Sequence, residues 1–128
     1  MKKYYLLLAI LILALGIRLK GVNNLPYFDD MGWFFVSARQ ALATGRMPLL
    51  GITASITWLH QGPLWTYLLL LPTALSLPPQ VLTSLAGVAA VALAYFAAGP
   101  VAAAILALLP FAVVTSQTAY HTSLIPLF

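Results

Sequence analysis

A chain of 128 residues with 62% hydrophobic and 6% charged side chains, and a mean hydropathy of +1.00, excludes a water-soluble globular domain, which carries about 25% charged residues. Its formal charges, six Lys/Arg and two Asp, all fall between Lys2 and Arg46, and Met47–Phe128 contains no Asp, Glu, Lys or Arg. Such a stretch needs lipid as its solvent, so the chain reads as an integral membrane protein.

Residues 4–19 form a nearly unbroken apolar run behind Lys2 and Lys3. Its 16 positions reach ~24 Å as a helix, a little short of a ~30 Å hydrocarbon core. Snorkelling Lys side chains at one end, and Arg18 and Lys20 at the other, make up the difference. A cleaved signal peptide fits the same basic and apolar pattern. Residues 20–61 are the one long polar connection and hold all the remaining charge. Within it the spacing predicts an amphipathic helix over 31–44, started by Asp29 or Asp30 as N-cap and stopped by Gly45. Phe34, Ala38, Ala41 and Leu42 recur on one face, and Trp33 and Phe35 suit a membrane interface.

Residues 62–77 are apolar but short, opened by Gly62-Pro63 and interrupted by Pro72. They are either a span or a juxtamembrane or re-entrant helix, and their length and interruptions favour the second reading. Pro78-Pro79 ends the helix. Residues 81–98 make a better span, with Ala90, Ala94 and Ala98 giving a small-residue face for close packing. Gly99-Pro100 makes a turn, and 101–114 form a further short span containing Pro110. The polar tract Thr115–Ser123 precedes the start of another apolar run, so 115–128 are expected to lead into further spans of a longer protein. The expected fold is an all-α polytopic bundle in one membrane domain, with about three full spans plus re-entrant or juxtamembrane helices. The basic N-terminus places that end in the cytoplasm, in a multi-pass plasma-membrane protein. The cations of the 20–61 loop run against that orientation unless Arg18 and Lys20 bind a ligand phosphate.

Chemistry has few places to sit. The chain has no Cys, which removes thiolate chemistry and disulfides. The two Asp and two distant His match no zinc or EF-hand spacing, and no Gly-rich phosphate loop is present. No metal and no cofactor is therefore expected. The +4 charge is scattered beside a span, which fits membrane lipids or a lipid-linked phosphate and not nucleic acid. Asp29 and Asp30 stand at a loop-to-helix junction, where one carboxylate can cap the helix while the other faces a cavity, or both merely complement its N-terminus. His60 precedes a helix start left bare by Gly62-Pro63, a place suited to phosphate; alternatively it is a solvated interface residue. His121 lies in the polar tract Thr115–Ser123, a weaker site candidate that is alternatively only a polar loop.

These residues resemble the N-terminus of polytopic glycosyltransferases of the GT-C class. The resemblance is to the dolichyl-phosphate-mannose protein mannosyltransferases and the lipid A aminoarabinose transferases. It is carried by Gly16-Ile-Arg-Leu19, Tyr27-Phe-Asp-Asp30, Trp33, Ala38, Ala41–Gly45 and His60-Gln-Gly-Pro-Leu64. It implies inverting transfer of a sugar from a polyprenyl-phosphate donor to a hydroxyl of a lipid, protein or glycan acceptor at the outer face. In that scheme Asp29 is the general base beside Asp30, and His60, with Arg39 or Arg46, stabilises the donor phosphate. The family commonly has Asp-Glu where this chain has Asp29-Asp30. The alternative is a non-enzymatic multi-spanning protein, a transporter fragment or assembly subunit, although the membrane segments are expected to hold no buried charge of the kind that marks an ion or proton path.

Overall fold

The computed structural model describes residues 2–20, 22, 29–53 and 58–120, with only the backbone of Lys2, Lys3 and Asp29. Its six helices are α1 (Lys2–Lys20), α2 (Asp29–Thr44), α3 (Leu64–Ala74), α4 (Gln80–Ala98), α5 (Pro100–Leu108) and α6 (Pro110–Gln117). Among the described residues the sole β feature is an isolated bridge between Thr53 and His60. The expected all-α class is observed. The chain divides into two compact units, residues 1–25 with 80–128 and residues 26–79.

The first unit is built from α1, α4, α5 and α6. Its apolar centre joins Ile10 and Ala14 of α1, Val91 of α4, and Ala103 and Ala107 of α5. The fully buried alanines have no side chain beyond Cβ, so the helix backbones approach closely. Of the expected stripe Ala90, Ala94 and Ala98, only Ala90 is buried; Ala98 is exposed. Gly99, at φ +92, turns the chain, and Pro100 starts α5 where its missing N–H costs nothing. This tight turn makes α4 and α5 antiparallel. Leu6 and Ile10 of α1 share a groove with Pro100, Val101 and Ala104 of α5, while Arg18 reaches Leu106 and Ala107. Helices α1 and α5 are therefore parallel, and Lys20 and Gln80 lie at the same end of this unit.

That end is polar and closed. Arg18 is 1% exposed. Its Nη1 donates to Ala14 O at 3.3 Å and Ala107 O at 3.2 Å, and its Nη2 to Leu106 O at 3.2 Å. Gln117 of α6 donates from Nε2 to Ile17 O (3.2 Å) and Arg18 O (2.9 Å), which satisfies carbonyls left open at the end of α1. Ser84 Oγ of α4 donates to Ser116 O at 3.4 Å. Each buried carbonyl left without such a partner would cost about 1–3 kcal/mol.

Residues 101–114, expected as one helix, are split. Leu109 is extended (φ −61, ψ 116), and α5 and α6 meet at a 63° bend. The cause is Pro110: it biases the preceding residue away from helix and offers no N–H to Leu106. The backbone ladder stops with Leu109 N–H to Ile105 O and resumes with Val113 N–H to Leu109 O. Residues 115–117, expected in the polar tract, belong to α6, with Ser116 and Gln117 buried. His121 lies outside the described residues.

In the second unit α2 packs against α3. Met31, Phe34, Ala38 and Ala41 are its buried stripe, while Leu42, expected on that face, is exposed. Gly45 at φ +67 ends α2, its N–H donating to Ala41 O at 2.9 Å. From α3, Trp65 and Leu69 are buried. Tyr67 donates from its hydroxyl to Pro48 O at 2.6 Å, tying α3 to the segment that follows α2.

Of the three full spans expected, α4 alone has both the length and the apolarity to cross a bilayer, with a mean hydropathy of 2.0. Only 22% of its most apolar stretch is buried inside the protein, which is consistent with membrane association. The bent pair α5–α6 qualifies if taken as one span. Helix α1 is as long but carries Lys2, Lys3, Arg18 and Lys20.

Gly87 of α4 permits the polar end to close. A Cβ there would stand 2.5 Å from Ser116 Cβ and 2.9 Å from Arg18 Nε, whereas a Cβ on Gly16 meets nothing within 4 Å. Gly87→Ala is expected to cost about 1–3 kcal/mol through overpacking. Gly16→Ala should be neutral or gain up to about 1 kcal/mol from helix propensity. Unfolding titrations of both variants in mixed micelles measure the difference.

Candidate functional site

The second unit holds the two carboxylates, Arg39, Arg46 and His60. Helix α2 starts at Asp29 with Asp30 next, so both acids occupy its first turn. There the helix dipole favours negative charge by about 0.3–1 kcal/mol. Asp30 is half-buried; the Asp29 side chain lies outside what the structure describes.

The same helix separates the acids from the arginines. Arg39 follows Asp30 by nine residues, which places it ~13.5 Å along the axis and on the opposite side. Its guanidinium lies 5.9 Å from the ring centroid of Phe35, one turn back, a cation–π pair at helical i,i+4 spacing. Arg46 follows the far end of α2, more than ~20 Å along the axis from Asp30. It lines a cavity of about 390 Å³ with Ser37, Gln40, Ala41, Thr44, Met47 and Pro48. Both arginines are exposed. Arg46 also sits where the helix dipole is negative, an arrangement that favours the cation and disfavours an anion.

His60 is held differently. Gly51 N–H donates to Gln61 O at 2.8 Å, and Gln61 N–H donates to Ile52 O at 2.9 Å, so 51–53 and 60–61 run as a short antiparallel pair. Within this pairing His60 Nδ1 lies 3.3 Å from Gly51 O. A carbonyl only accepts, so this bond places the proton on Nδ1 and leaves Nε2 with its lone pair. The residue is exposed, so Nε2 is open to a ligand. Gly51 is required by this pairing: a Cβ there would meet Gln61 O and Gly62 O at 2.7 Å.

Four residues on, α3 begins behind Pro63 with no side-chain cap. Its first-turn N–H groups carry the positive end of the helix dipole. Trp65 and Thr66 are both buried in this turn, and neither Trp65 Nε1 nor Thr66 Oγ1 has a hydrogen-bond partner. Two buried, unpartnered polar atoms in the first turn of an uncapped helix carry a desolvation cost that an acceptor admitted to that turn would relieve. Sequence reasoning reached His60 and the bare helix start and missed Trp65 and Thr66. The one available signal was a Thr embedded in the apolar run Leu64–Leu71.

Arg18, a sequence candidate for ligand phosphate, is turned inward and bound to carbonyls of the first unit. Lys20 remains exposed.

The His60 geometry has a spectroscopic consequence. The chain contains two histidines, so ¹⁵N imidazole spectra are readily assigned. His60 is expected to show a protonated Nδ1 and an unprotonated Nε2 in its neutral form. Gly51→Ala, by disrupting the pairing, should average the two nitrogens; averaged nitrogens in the parent protein would rule this orientation out.

Comparison with protein-family models, with curated proteins and with solved structures finds no match to this chain.

Proposed function

We propose that the chain is the N-terminal part of a polytopic membrane glycosyltransferase that moves a sugar from a polyprenyl-phosphate donor to a hydroxyl acceptor, with inversion. The observation that carries this reading is the start of α3: an uncapped helix N-terminus with Trp65 Nε1 and Thr66 Oγ1 buried and unpartnered in its first turn, and an exposed His60 just before it. That set suits a phosphate, which accepts hydrogen bonds from every direction.

In the proposed topology α1, α4 and the bent pair α5–α6 cross the bilayer. With Lys2 and Lys3 cytoplasmic, the end of the first unit that carries Lys20 and Gln80 faces outward. Residues 21–79 then begin and end at the outer face, with α3, at ~16 Å, too short to cross alone. The acidic dyad and His60 therefore share one side of the membrane with the donor headgroup and the acceptor.

The chemistry is a single displacement. Asp29 takes the proton from the acceptor hydroxyl as its oxygen attacks the anomeric carbon. The bond from that carbon to the phosphate oxygen breaks, and the phosphate leaves with the electron pair. A phosphate anion needs charge stabilisation rather than a strong acid, and the α3 N–H groups, Trp65 Nε1, Thr66 Oγ1 and a protonated His60 supply it. His60 ranks first among the basic residues for this role because it immediately precedes the uncapped α3 start; Tyr67 and Pro48 tie that start to the Arg46 end of α2.

In the full-length protein in membranes, assayed over a panel of polyprenyl-phosphate hexoses and pentoses, Asp29→Asn is expected to lower transfer by about 10²–10⁴-fold. Membrane insertion should be unchanged. Thr66→Val and Trp65→Phe should weaken donor binding. Undiminished turnover by Asp29→Asn removes the base. Indifference to changes at both aspartates, together with copurification in a larger complex, favours a non-enzymatic assembly subunit.

A further inference from the structure

The broken helix α5–α6 and the buried arginine of α1 answer one another. Pro110 cannot donate to Leu106 O, and the extended Leu109 interrupts the ladder before Ala107 O finds an intrahelical donor. Arg18 donates to these two carbonyls, from Nη2 and Nη1 respectively, both at 3.2 Å. A planar guanidinium presents paired donors in a fixed fork, which two successive carbonyls at a helix end can accept together. The positive charge also sits at the negative end of the α5 dipole.

The surroundings are shaped around this contact. Gly87 gives Arg18 Nε and Ser116 room that a side chain would fill. Gln117, at the end of α6, donates back to Ile17 O and Arg18 O. The Arg18 guanidinium thus holds α5 to α1, and Gln117 holds α6 to α1. Arg18 Nε is buried with no partner, so the guanidinium is tied through its two terminal nitrogens alone.

We propose that Arg18 is a latch on the α5–α6 bend: its guanidinium replaces the backbone N–H that Pro110 lacks, and docking it fixes one bend geometry. Undocking it returns two carbonyls to an apolar interior and leaves α6 held by Gln117 and the Ser84–Ser116 contact alone, so that the bend at Leu109 is no longer fixed. The direction in which the chain leaves α6 then depends on a side chain of α1. This role is independent of the proposed transferase activity, because none of its atoms belongs to the α2–α3 unit.

The absence of cysteine makes the bend directly measurable. Val101 of α5 and Val114 of α6 are exposed, so Val101→Cys and Val114→Cys in the full chain take one spin label each. The parent should give a single narrow label-to-label distance in lipid nanodiscs. Arg18→Gln should lose it and give a broad distribution. Adding Pro110→Ala to Arg18→Gln restores an N–H to Leu106 O, so the distribution should narrow again at a longer distance, that of a straighter helix. A parent-like distance in Arg18→Gln overturns the latch, as does failure of Pro110→Ala to narrow the distribution. Should Arg18→Gln alone not accumulate in membranes, recovery of accumulation by Pro110→Ala supports the pairing, and no recovery overturns it.

Discussion

One interaction organises the first unit: the docking of the Arg18 guanidinium on the open carbonyls of α5. Taking a guanidinium out of water costs several kcal/mol. Charge-assisted bonds to carbonyls return about 1.5–3 kcal/mol each, and they spare the carbonyls their own desolvation cost. The two terms nearly offset, so the contact contributes less to total stability than to uniqueness. It chooses which carbonyls are satisfied, and so which bend is adopted. The closeness it demands explains the small residues around it: Ala14, Ala103 and Ala107 are fully buried, and Gly87 has no room for a Cβ.

The chain uses its few charges for different tasks. Arg18 is inside, bound to backbone, and Lys20 two residues later is exposed. In the second unit the acids sit at the positive end of α2, and Arg46 lies past its negative end. Each placement is electrostatically favourable for the helix alone. A site for phosphate on α2 would have to work against that same dipole at Arg46, whereas at α3 dipole and ligand agree.

Much of the fold was legible in the sequence because strong local signals coincide. The stop at Gly45 and the turn at Gly99-Pro100 are backbone requirements that only certain residues meet, and both appear at those positions with positive φ at the glycine. The stripe Phe34, Ala38 and Ala41 followed from helical periodicity. The break at Leu109 was less visible, because an apolar run of span-like length masks a proline whose effect depends on what replaces its missing bond. The destination of Arg18 was not legible at all: a cation in a last turn beside Lys20 reads as a solvent-facing end charge. Its partners are 88 and 89 residues away, and no spacing rule links them.

The same limit separates the two halves of the candidate site. Asp29, Asp30 and His60 stand out by chemical type, because carboxylates and imidazoles are scarce in this chain. Trp65 and Thr66 are ordinary residues for an apolar helix start, and they become informative only through burial without a partner. A buried indole N–H or hydroxyl left unpaired costs the free protein stability, and that cost is recovered when an acceptor arrives. Under the proposal, an acceptor admitted to that turn pairs with both and with the first-turn N–H groups of α3. On the proposed reading this is why the leaving phosphate needs no arginine clamp beside it. The donors at α3 are neutral, and beside them His60 is oriented through Nδ1 by Gly51 O.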